Sequence, residues 1–280
     1  MRTKLICTLA LILITSKSWS ALEDHNYYPQ TLIDSLVDGD DSSIKQELYD
    51  VLSQYHQKTT RRDIIKRNCS SKSNCYIQTK GISYKAARIE LFGNLHLKKD
   101  NSGKHFVKDL YCEKSYGPDN GVGVGKIPSG KVINCEHTWP QSRFNPQMSK
   151  SLQKTDLHHL YPVSNRANSS RSNHIFAEVN GTAINENCTA SQRGMAYGSS
   201  ITAFEPPRSH KGNVARALFY FSVRFKIQID PLEERYLRQW HVEDPVDQDE
   251  KDRNNKIFAF QKNRNPFIDE PSLVNRVYDF

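Results

Sequence analysis

The 280-residue chain lacks any apolar run near the roughly 20 residues that a membrane-spanning helix needs. Its longest apolar run, LICTLALILIT, has about eleven residues and lies close to the start of the chain. A basic start, MRTK, precedes this run, and the small residues Ser18 and Ser20 follow it. This order predicts a secretory signal peptide over residues 1–20, cleaved after Ser20, with a membrane anchor as the alternative. We therefore expect an exported chain, periplasmic or secreted, without stable membrane association.

The sequence also lacks an internal repeat and any long linker rich in proline, glycine or serine. About 260 residues remain after the predicted signal peptide, and a chain of that length can bury a core without disulfides. We expect a single domain over residues 21–280 and a monomer.

Cysteines are few and include no CxxC pair, which disfavours a structural zinc site. Outside the cytoplasm, cysteines form disulfides where their geometry allows. Cys69 and Cys75 flank a short polar stretch, which predicts a local disulfide. Cys135 has two candidate partners, Cys112 and Cys188, and the sequence does not choose between them. One thiol of the mature chain is then left over.

The excess of positive charge is modest. Lys and Arg number 39 against 31 Asp and Glu, a net charge of +8. Residues 1–20 contain three basic residues and no acid, so the mature chain has 36 against 31, or +5. This balance suits an anionic partner such as nucleic acid or a cell envelope, and it suits equally a surface kept basic for solubility. Charge alone therefore selects no function.

Apolar residues recur at helical spacing on both sides of the middle of the chain. Residues 27–57 predict two helices, and Gly93 is expected to end a helix that begins near Tyr84. Residues 212–225 predict an amphipathic helix whose two arginines lie off the apolar face. Acidic residues open a further helical segment over residues 243–261, as the helix dipole favours.

The middle of the chain contains shorter runs of β-like composition. Residues 106–112 and 131–137 are separated by a stretch rich in glycine and proline, which is typical of a long hairpin loop. A third run, residues 156–163, leads into a polar segment over residues 164–173 that is rich in helix-capping residues. Strands in the middle and helices on both sides predict an α+β fold.

An acidic and a basic side chain are adjacent at Glu136 and His137, just before the dipeptide Trp139-Pro140. Adjacent side chains of a regular strand point to opposite faces, so both can serve one site only where the strand ends. The carboxylate suits a hard cation such as Mg²⁺, and the imidazole can take a proton from water at neutral pH. A satisfied surface pair is the alternative.

A second polar cluster occupies residues 154–173. His158 and His159 fall in a strand-like run, so at most one of them can enter any one site. Asparagines after this run can bind hard cations, and arginines can hold phosphate. A solvated helix cap is the alternative, since asparagine and serine favour such positions. The residues concerned are Asn165, Arg166, Asn168, Arg171 and Asn173.

The motifs NCEHTWPQSRF, KTDLHHLYP with NRANSSRSN, FEPPRSHKGNVARALFYFSVRF and NRNPFIDEP follow one another in the chain. In this order, from about residue 84 to residue 272, they resemble the endonuclease I family of exported bacterial nucleases. The resemblance implies a ββα-metal core with flanking helices, in which a strand pair and a helix hold one divalent cation. It also implies a metal-dependent endonuclease that cuts DNA with little sequence preference, and it leaves RNA open as a second substrate.

Carried over residue by residue, the resemblance implies that His137 is the general base, Glu136 the metal-binding acid and Asn168 the metal-binding amide. His137 would deprotonate a water aligned with the scissile phosphorus, while the cation stabilises the leaving 3′ oxygen. Cleavage would leave a 5′-phosphate. The expected ion is Mg²⁺, which Mn²⁺ or Ca²⁺ could replace in binding. Arg143 and Arg171 are candidates for contacting the phosphate, with a structural salt bridge as the alternative for each.

The chain departs from the family pattern in two ways. Some members carry more cysteines, so their disulfide pattern is not carried over. Some place a carboxylate shortly before the DLH run, where this chain has QKT. The group that orients His137 is therefore open between a backbone carbonyl and Asp156. Residues 21–80 carry little of the resemblance.

Three other functions fit the sequence less well. The stretch GVGVGK lacks the flanking residues of a phosphate-binding P-loop, and we expect a flexible loop there. A zinc-dependent hydrolase that uses His137, His158 and His159 lacks an HExxH motif. A non-enzymatic protein that binds nucleic acid or the envelope explains the charge and the export, but it gives Glu136 and His137 no role.

Overall fold

Residues 20–39, 41–70 and 74–280 are described by the structure, a computed structural model. The signal peptide predicted over residues 1–20 lies outside these ranges apart from Ser20. Among the residues described, no helix combines the length and the apolar character that crossing a membrane requires.

The described chain begins with three helices, of which the second and third pack against each other. The second and third are the two helices predicted over residues 27–57, and their buried stripes include Leu36 and Leu48. At the start of the third helix the Ser43 hydroxyl donates to the Glu47 carboxylate at 2.6 Å. The bounds are α1, Ser20–Glu23; α2, Gln30–Asp38; and α3, Ile44–Ser53.

A small antiparallel sheet follows, with its first strand in the centre. The predicted disulfide between Cys69 and Cys75 is present and ties the chain ahead of the third strand to that strand. The sheet has the order β2-β1-β3. Its strands are β1, Tyr55–Gln57; β2, Ile64–Lys66; and β3, Cys75–Tyr76.

The helix predicted to end at Gly93 does not end there. Helix α4, Tyr84–Glu90, continues into a π-helical turn over Leu91–Leu95, which contains Gly93. A Cβ atom at Gly93 would lie 2.6 Å from the backbone nitrogen of Gly125. Glycine is needed here because two backbones meet, and the GVGVGK loop packs against the helix at this point.

The predicted hairpin between residues 106–112 and 131–137 is wrong. The first of these runs forms the central strand of its own sheet, of order β4-β5-β6, and the second pairs with a strand further along the chain. The three strands are β4, Leu97–Lys99; β5, His105–Lys108; and β6, Ser115–Tyr116.

Two antiparallel strands and a helix form a ββα unit in the middle of the chain. Strand β7, Ile133–His137, pairs with β8, Leu160–Ser164, and α5, Lys150–Thr155, lies between them in sequence. Helix α6, Asn165–Arg171, begins directly after β8, with the Ser164 hydroxyl accepting a hydrogen bond from a backbone N–H of its first turn. The α+β prediction is confirmed, and this unit has the strand-strand-helix order that the resemblance implied.

The predicted strand over residues 156–163 begins only at Leu160. His158 and His159 lie instead in a 3₁₀ turn, Leu157–His159, so the alternation expected for a strand does not apply to them. The Asp156 carboxylate accepts a hydrogen bond from the backbone N–H of His158 at 3.1 Å, which caps this turn.

A four-stranded sheet follows, with the order β10-β11-β12-β9, and its strands β12 and β9 run parallel. A disulfide joins Cys112 to Cys188 at the start of β11, so the predicted pairing of Cys135 is wrong. Cys135 is a buried free thiol on β7. The strands are β9, Ile175–Phe176; β10, Val179–Asn185; β11, Cys188–Ala196; and β12, Thr202–Glu205.

The helix predicted as amphipathic is the buried centre of the molecule. Both arginines of helix α7, Lys211–Phe225, are buried: Arg216 forms an ion pair with Glu250 at 2.6 Å, and Arg224 donates to Gln78. Pairing allows these charges inside the core and explains why periodicity misplaced them. The remaining helices are α8, Pro231–Glu243; α9, Gln248–Gln261, with acids in its first turn as predicted; and α10, Pro266–Asp269.

Candidate active site

A cavity of about 480 Å³ opens where β7 ends. Four of the five predicted site residues line it, namely Glu136, His137, Asn168 and Arg171, and Arg143 does not. Strand β7 supplies the first two, and helix α6 supplies the other two from positions three residues apart, on one helical face. The other lining residues are Tyr84, Asn134, Cys135, Pro140, Gln141, Ser142, Ser172 and Asn173.

A backbone carbonyl orients the His137 ring. The ring nitrogen Nε2 lies 3.0 Å from the carbonyl oxygen of Lys154, which can only accept a hydrogen bond. Nε2 therefore carries the proton, and Nδ1 is left as the acceptor. Nδ1 lies 3.5 Å from Nε2 of Gln141, another residue of the cavity wall. The group that orients His137 is therefore a backbone carbonyl and not Asp156.

Aromatic rings hold His137 in place on several sides. The Tyr84 ring lies 5.7 Å from it at an interplanar angle of 30°, and the His159 ring lies 5.4 Å away nearly edge-on. Only 7% of His137 is exposed. Burial is the main cause that lowers its pKa to about 4, and the charges of Lys154 and Arg171 act in the same direction. The imidazole is therefore neutral at neutral pH and able to accept a proton.

The Glu136 carboxylate uses only one of its two oxygens within the protein. Its Oε1 accepts a hydrogen bond from the Tyr111 hydroxyl at 3.0 Å and lies 3.4 Å from Nη1 of Arg171. No side chain in the described ranges donates a hydrogen bond to Oε2, although Glu136 is 98% buried. Burial raises the pKa of Glu136, and the Arg171 charge opposes that rise.

The Asn168 side chain, half-buried on α6, likewise has no hydrogen-bond partner among the described residues. One carboxylate oxygen and one amide oxygen facing a cavity, with room for waters, are donors of the kind that hard divalent cations take. They therefore fit such a cation. No group of three or more His, Cys, Asp or Glu in the described part of the chain could hold a metal ion.

Arg171 is buried beneath the site and stabilises the backbone around it. Its guanidinium donates to the backbone carbonyls of His137, Thr138 and Ser172, besides lying beside Glu136. It also stacks over the Phe176 ring at 4.5 Å. These contacts fix the end of β7, where the backbone must turn for Glu136 and His137 to serve one cavity.

Arg143 faces a different part of the molecule. Its Nη2 donates to the buried Glu233 carboxylate at 3.1 Å, and the guanidinium lies over the Trp139 ring. These contacts are those of a structural salt bridge, the alternative raised for this residue.

The other two histidines of the motif do not reach the cavity. His158 and His159 are fully buried, and their Nε2 atoms bond the backbone carbonyls of Asn263 and Gln153. Asp156, the other candidate for orienting His137, is occupied by Gln78, Gln261 and Tyr220. A zinc site built on the three histidines finds no support in these positions.

Sequence reasoning missed two residues that set up the site. Tyr111 holds the Glu136 carboxylate from 25 positions earlier in the chain, and Lys154 supplies the carbonyl for His137. Neither lies in a recognisable pattern. Tyr111 looked like an ordinary strand residue, and any residue type could provide the Lys154 carbonyl.

Comparison with known proteins finds the same family as the motifs. The family model for endonuclease I matches residues 53–272. The extracellular ribonuclease of Bacillus subtilis (strain 168) is 33% identical over 188 residues, 60% of each chain. The periplasmic deoxyribonuclease of Aeromonas hydrophila is 28% identical over 145 residues, 50% of this chain and 58% of that one. This chain thus spans about three fifths of the length of these curated relatives.

Proposed function

Because this chain belongs to the endonuclease I family, we propose that it is an exported, metal-dependent endonuclease that hydrolyses internal phosphodiester bonds of nucleic acid with little sequence preference. One observation carries the proposal. His137 and Glu136 line the same cavity at the end of the same strand. The acceptor nitrogen of this neutral histidine has only a 3.5 Å contact with the Gln141 amide, and one oxygen of the carboxylate has no side-chain partner in the described chain. The first can accept a proton and the second can bind a cation, and phosphodiester hydrolysis uses both.

In this proposal Nδ1 of His137 takes the proton from the attacking water. The hydrogen bond from Nε2 to the Lys154 carbonyl keeps the ring in the tautomer in which Nδ1 is the acceptor. The same hydrogen bond stabilises the imidazolium that forms when the proton arrives, because a carbonyl oxygen accepts from either protonation state. Tyr84 and His159 hold the ring against rotation.

Glu136 and Asn168 would hold the divalent cation, for which Mg²⁺ is our assignment. When bound, this ion supplies stabilisation of the negative charge on the leaving 3′ oxygen, so that the product carries a 5′-phosphate. Tyr111 and Arg171 would fix the carboxylate through Oε1 and leave Oε2 available to a cation. We assign Arg171 this positioning role, and Arg143 a structural role.

Relatives of both substrate classes support a broad substrate range. The relatives named ribonuclease and deoxyribonuclease match similar shares of this chain, 60% and 50%. We propose DNA as substrate, with RNA cut at the same cavity, because the proposed chemistry acts on the phosphate and not on the base. The relatives named extracellular and periplasmic support an address outside the cytoplasm. We propose that the chain acts as a monomer.

The test is a digestion assay on the full mature chain. Supercoiled plasmid and RNA are incubated with the protein in Mg²⁺ or in EDTA, beside the variant His137→Ala. We expect loss of both substrates with Mg²⁺, and intact substrates in EDTA or with the variant. Intact nucleic acid in every lane, from protein shown to be folded by circular dichroism, would refute the nuclease and favour a binding protein. Cutting at the normal rate by the variant would refute the assignment of the base.

A further inference from the structure

A strongly basic segment lies outside the proposed active site. Residues 55–70 and 74–80, here called the basic segment, contain six Lys and Arg and a single acid. They include the three strands of the sheet formed by β1, β2 and β3. The mature chain as a whole has an excess of only five positive charges, so a net charge of five in these 23 residues is a marked concentration.

The single acid of the basic segment does not offset this charge at the surface. Asp63 is 4% exposed and turns inward, where its carboxylate lies 3.3 Å from Nδ1 of His56 and accepts the Tyr76 hydroxyl. The described cations of the segment form no ion pair with described residues, and Arg62 bonds Gln30 and backbone carbonyls. These exposed cations are Lys58, Arg61, Lys66, Arg67 and Lys80.

The basic segment is a firm platform. Strand β1 pairs with a strand on each side, and a disulfide joins Cys69, shortly after β2, to Cys75 at the start of β3. The His56 ring is stacked between the rings of Tyr27 at 4.3 Å and Tyr76 at 5.1 Å. Its cations therefore project from a surface that is already ordered, which lowers the entropy cost of binding.

The basic segment lies close in the chain to the wall of the proposed active site. Near its end, the Gln78 amide donates to the Asp156 carboxylate at 3.1 Å, two residues from Lys154. The Lys154 ammonium lies 4.5 Å from the centre of the Tyr84 ring, which itself packs on His137. Gln78 and Tyr84 are six residues apart, so at most about 20 Å of chain separates them.

We propose that the basic segment binds the sugar-phosphate backbone of the nucleic acid substrate away from the scissile bond, with Lys154 as the first positive charge beyond the cavity. The inference rests on the proposed function, because closeness in the chain to the cavity is what selects nucleic acid among anionic partners. Exposed cations without ion-pair partners can each contact a backbone phosphate, and binding of this kind is independent of base sequence. A substrate long enough to reach the segment then binds more tightly than a short one.

The test compares substrate lengths with a charge-neutralised variant, Arg61→Gln/Lys66→Gln/Arg67→Gln. Binding to fluorescein-labelled DNA duplexes of 40 and 8 base pairs is measured over a range of salt, in EDTA to prevent cutting, and repeated with RNA of 40 and 8 nucleotides. An 8-base-pair duplex extends only about 14 Å to either side of its centre. The matched control is Lys99→Gln/Lys104→Gln/Lys251→Gln, which removes the same charge from exposed lysines elsewhere.

For the 40-base-pair duplex we expect the variant to bind about 10- to 100-fold more weakly near 0.1 M salt, with a log–log salt slope shallower by about 2 to 3. The 8-base-pair duplex should bind the variant and the wild type equally, and the control should match the wild type on both lengths. Equal loss on both lengths, or no difference from the control, would refute the proposal. Binding to anionic phospholipid vesicles is measured on the same variants. If the neutralised variant kept its DNA binding and lost its vesicle binding, the proposal would be refuted and a membrane surface identified as the partner.

The two proposals fail in different ways. If the wild type cuts plasmid and the neutralised variant binds the long duplex like the control, the basic segment has no such role and the nuclease stands. If binding depends on length and on the three cations as expected but no preparation cuts nucleic acid, the nuclease is refuted and the binding surface remains.

Discussion

Two cavities of this molecule contain the same kinds of residue. The site cavity, at the end of β7, combines Glu136, His137 and Arg171. A second cavity of about 610 Å³ lies against α9 and has histidines, several carboxylates and an arginine, among them His210, Glu250 and Arg253. By composition alone, the α9 cavity is the richer in titratable groups.

The difference lies in what these groups are already bonded to. Both Glu250 oxygens accept hydrogen bonds from Arg216, at 2.6 to 3.1 Å. His210 is 2% exposed and packs edge-on against the Tyr161 ring. In the site cavity, by contrast, Oε2 of Glu136 and Nδ1 of His137 have no strong partner in the described chain. A carboxylate oxygen and an imidazole nitrogen that are both available to a ligand, rather than the presence of ionisable residues, therefore mark the site cavity as the candidate active site.

The largest expected contrast is between the two histidines. His137→Ala should lower the rate of plasmid cleavage by about 10²- to 10⁴-fold, the usual contribution of a general base. His210→Ala should leave the rate per folded molecule within about twofold, because its ring faces a closed network. Cleavage rates are normalised to the folded fraction from urea unfolding. Equal losses of cleavage rate in both variants would show that the site cavity and the α9 cavity do not differ in their contribution to catalysis.

The second contrast concerns the two buried carboxylates. Glu250→Gln should lower the free energy of unfolding by about 3–5 kcal/mol, since it leaves the buried Arg216 guanidinium without its counter-charge. Glu136→Gln keeps an acceptor for Tyr111 and should cost less stability, but it removes the charged metal ligand. Mn²⁺ affinity, measured by calorimetry on the full chain, should then fall at least about tenfold.

If the two variants exchanged these phenotypes, with Glu136→Gln unfolding the protein and Glu250→Gln weakening Mn²⁺ binding, the assignment of the two cavities would have to be reversed. Wild-type protein in EDTA provides the baseline for both measurements, and Asn168→Ala is a second variant that should weaken Mn²⁺ binding with little effect on unfolding.

The sequence made the site more predictable than the scaffold around it. Glu136, His137, Asn168 and Arg171 lie within two short motifs, and the ββα unit brings those motifs together. Tyr111 could not be predicted, because its role depends on how a distant segment packs against β7. Pairing of strands was also mispredicted where periodicity alone had to choose partners, as for residues 106–112 and 131–137. Pairing is a long-range property, and a run of β-like residues does not identify its neighbour.

Distant polar partners of buried arginines cannot be seen in the periodicity of the core helix. Periodicity assigned Arg216 and Arg224 to the exposed faces of α7, since unpaired arginine is rarely buried. Glu250 and Gln78, which satisfy them, lie 34 and 146 positions away. The same limit applied to Cys135, whose proposed partners turned out to bond each other.

The third contrast separates the two arginines. Arg171→Gln should lower the cleavage rate about 10- to 100-fold, as is usual for a residue that orients a metal ligand. Arg143→Gln should leave the rate unchanged and lower the free energy of unfolding by about 1–3 kcal/mol, because the buried Glu233 loses a charged donor. Rates and urea unfolding are measured on both variants. A lower cleavage rate in Arg143→Gln without a lower stability would contradict the structural role and indicate that Arg143 contacts the phosphate.

The smallest contrast is the dependence of stability on pH. Burial lowers the pKa of His210 to about 3, and an unfolded histidine titrates near 6.5. Between these pH values the unfolded chain binds a proton at this histidine that the folded chain does not. The free energy of unfolding is therefore unaffected by this group above pH 6.5 and decreases as the pH falls below it. Each such histidine should cost about 1.4 kcal/mol per pH unit in this window. His210→Gln should make the slope of unfolding free energy against pH, from 6 to 4.5, shallower by about that amount. An unchanged slope would mean that water and protons reach His210 in the folded protein. The α9 cavity would then be less closed than its contacts indicate, and more similar to the site cavity.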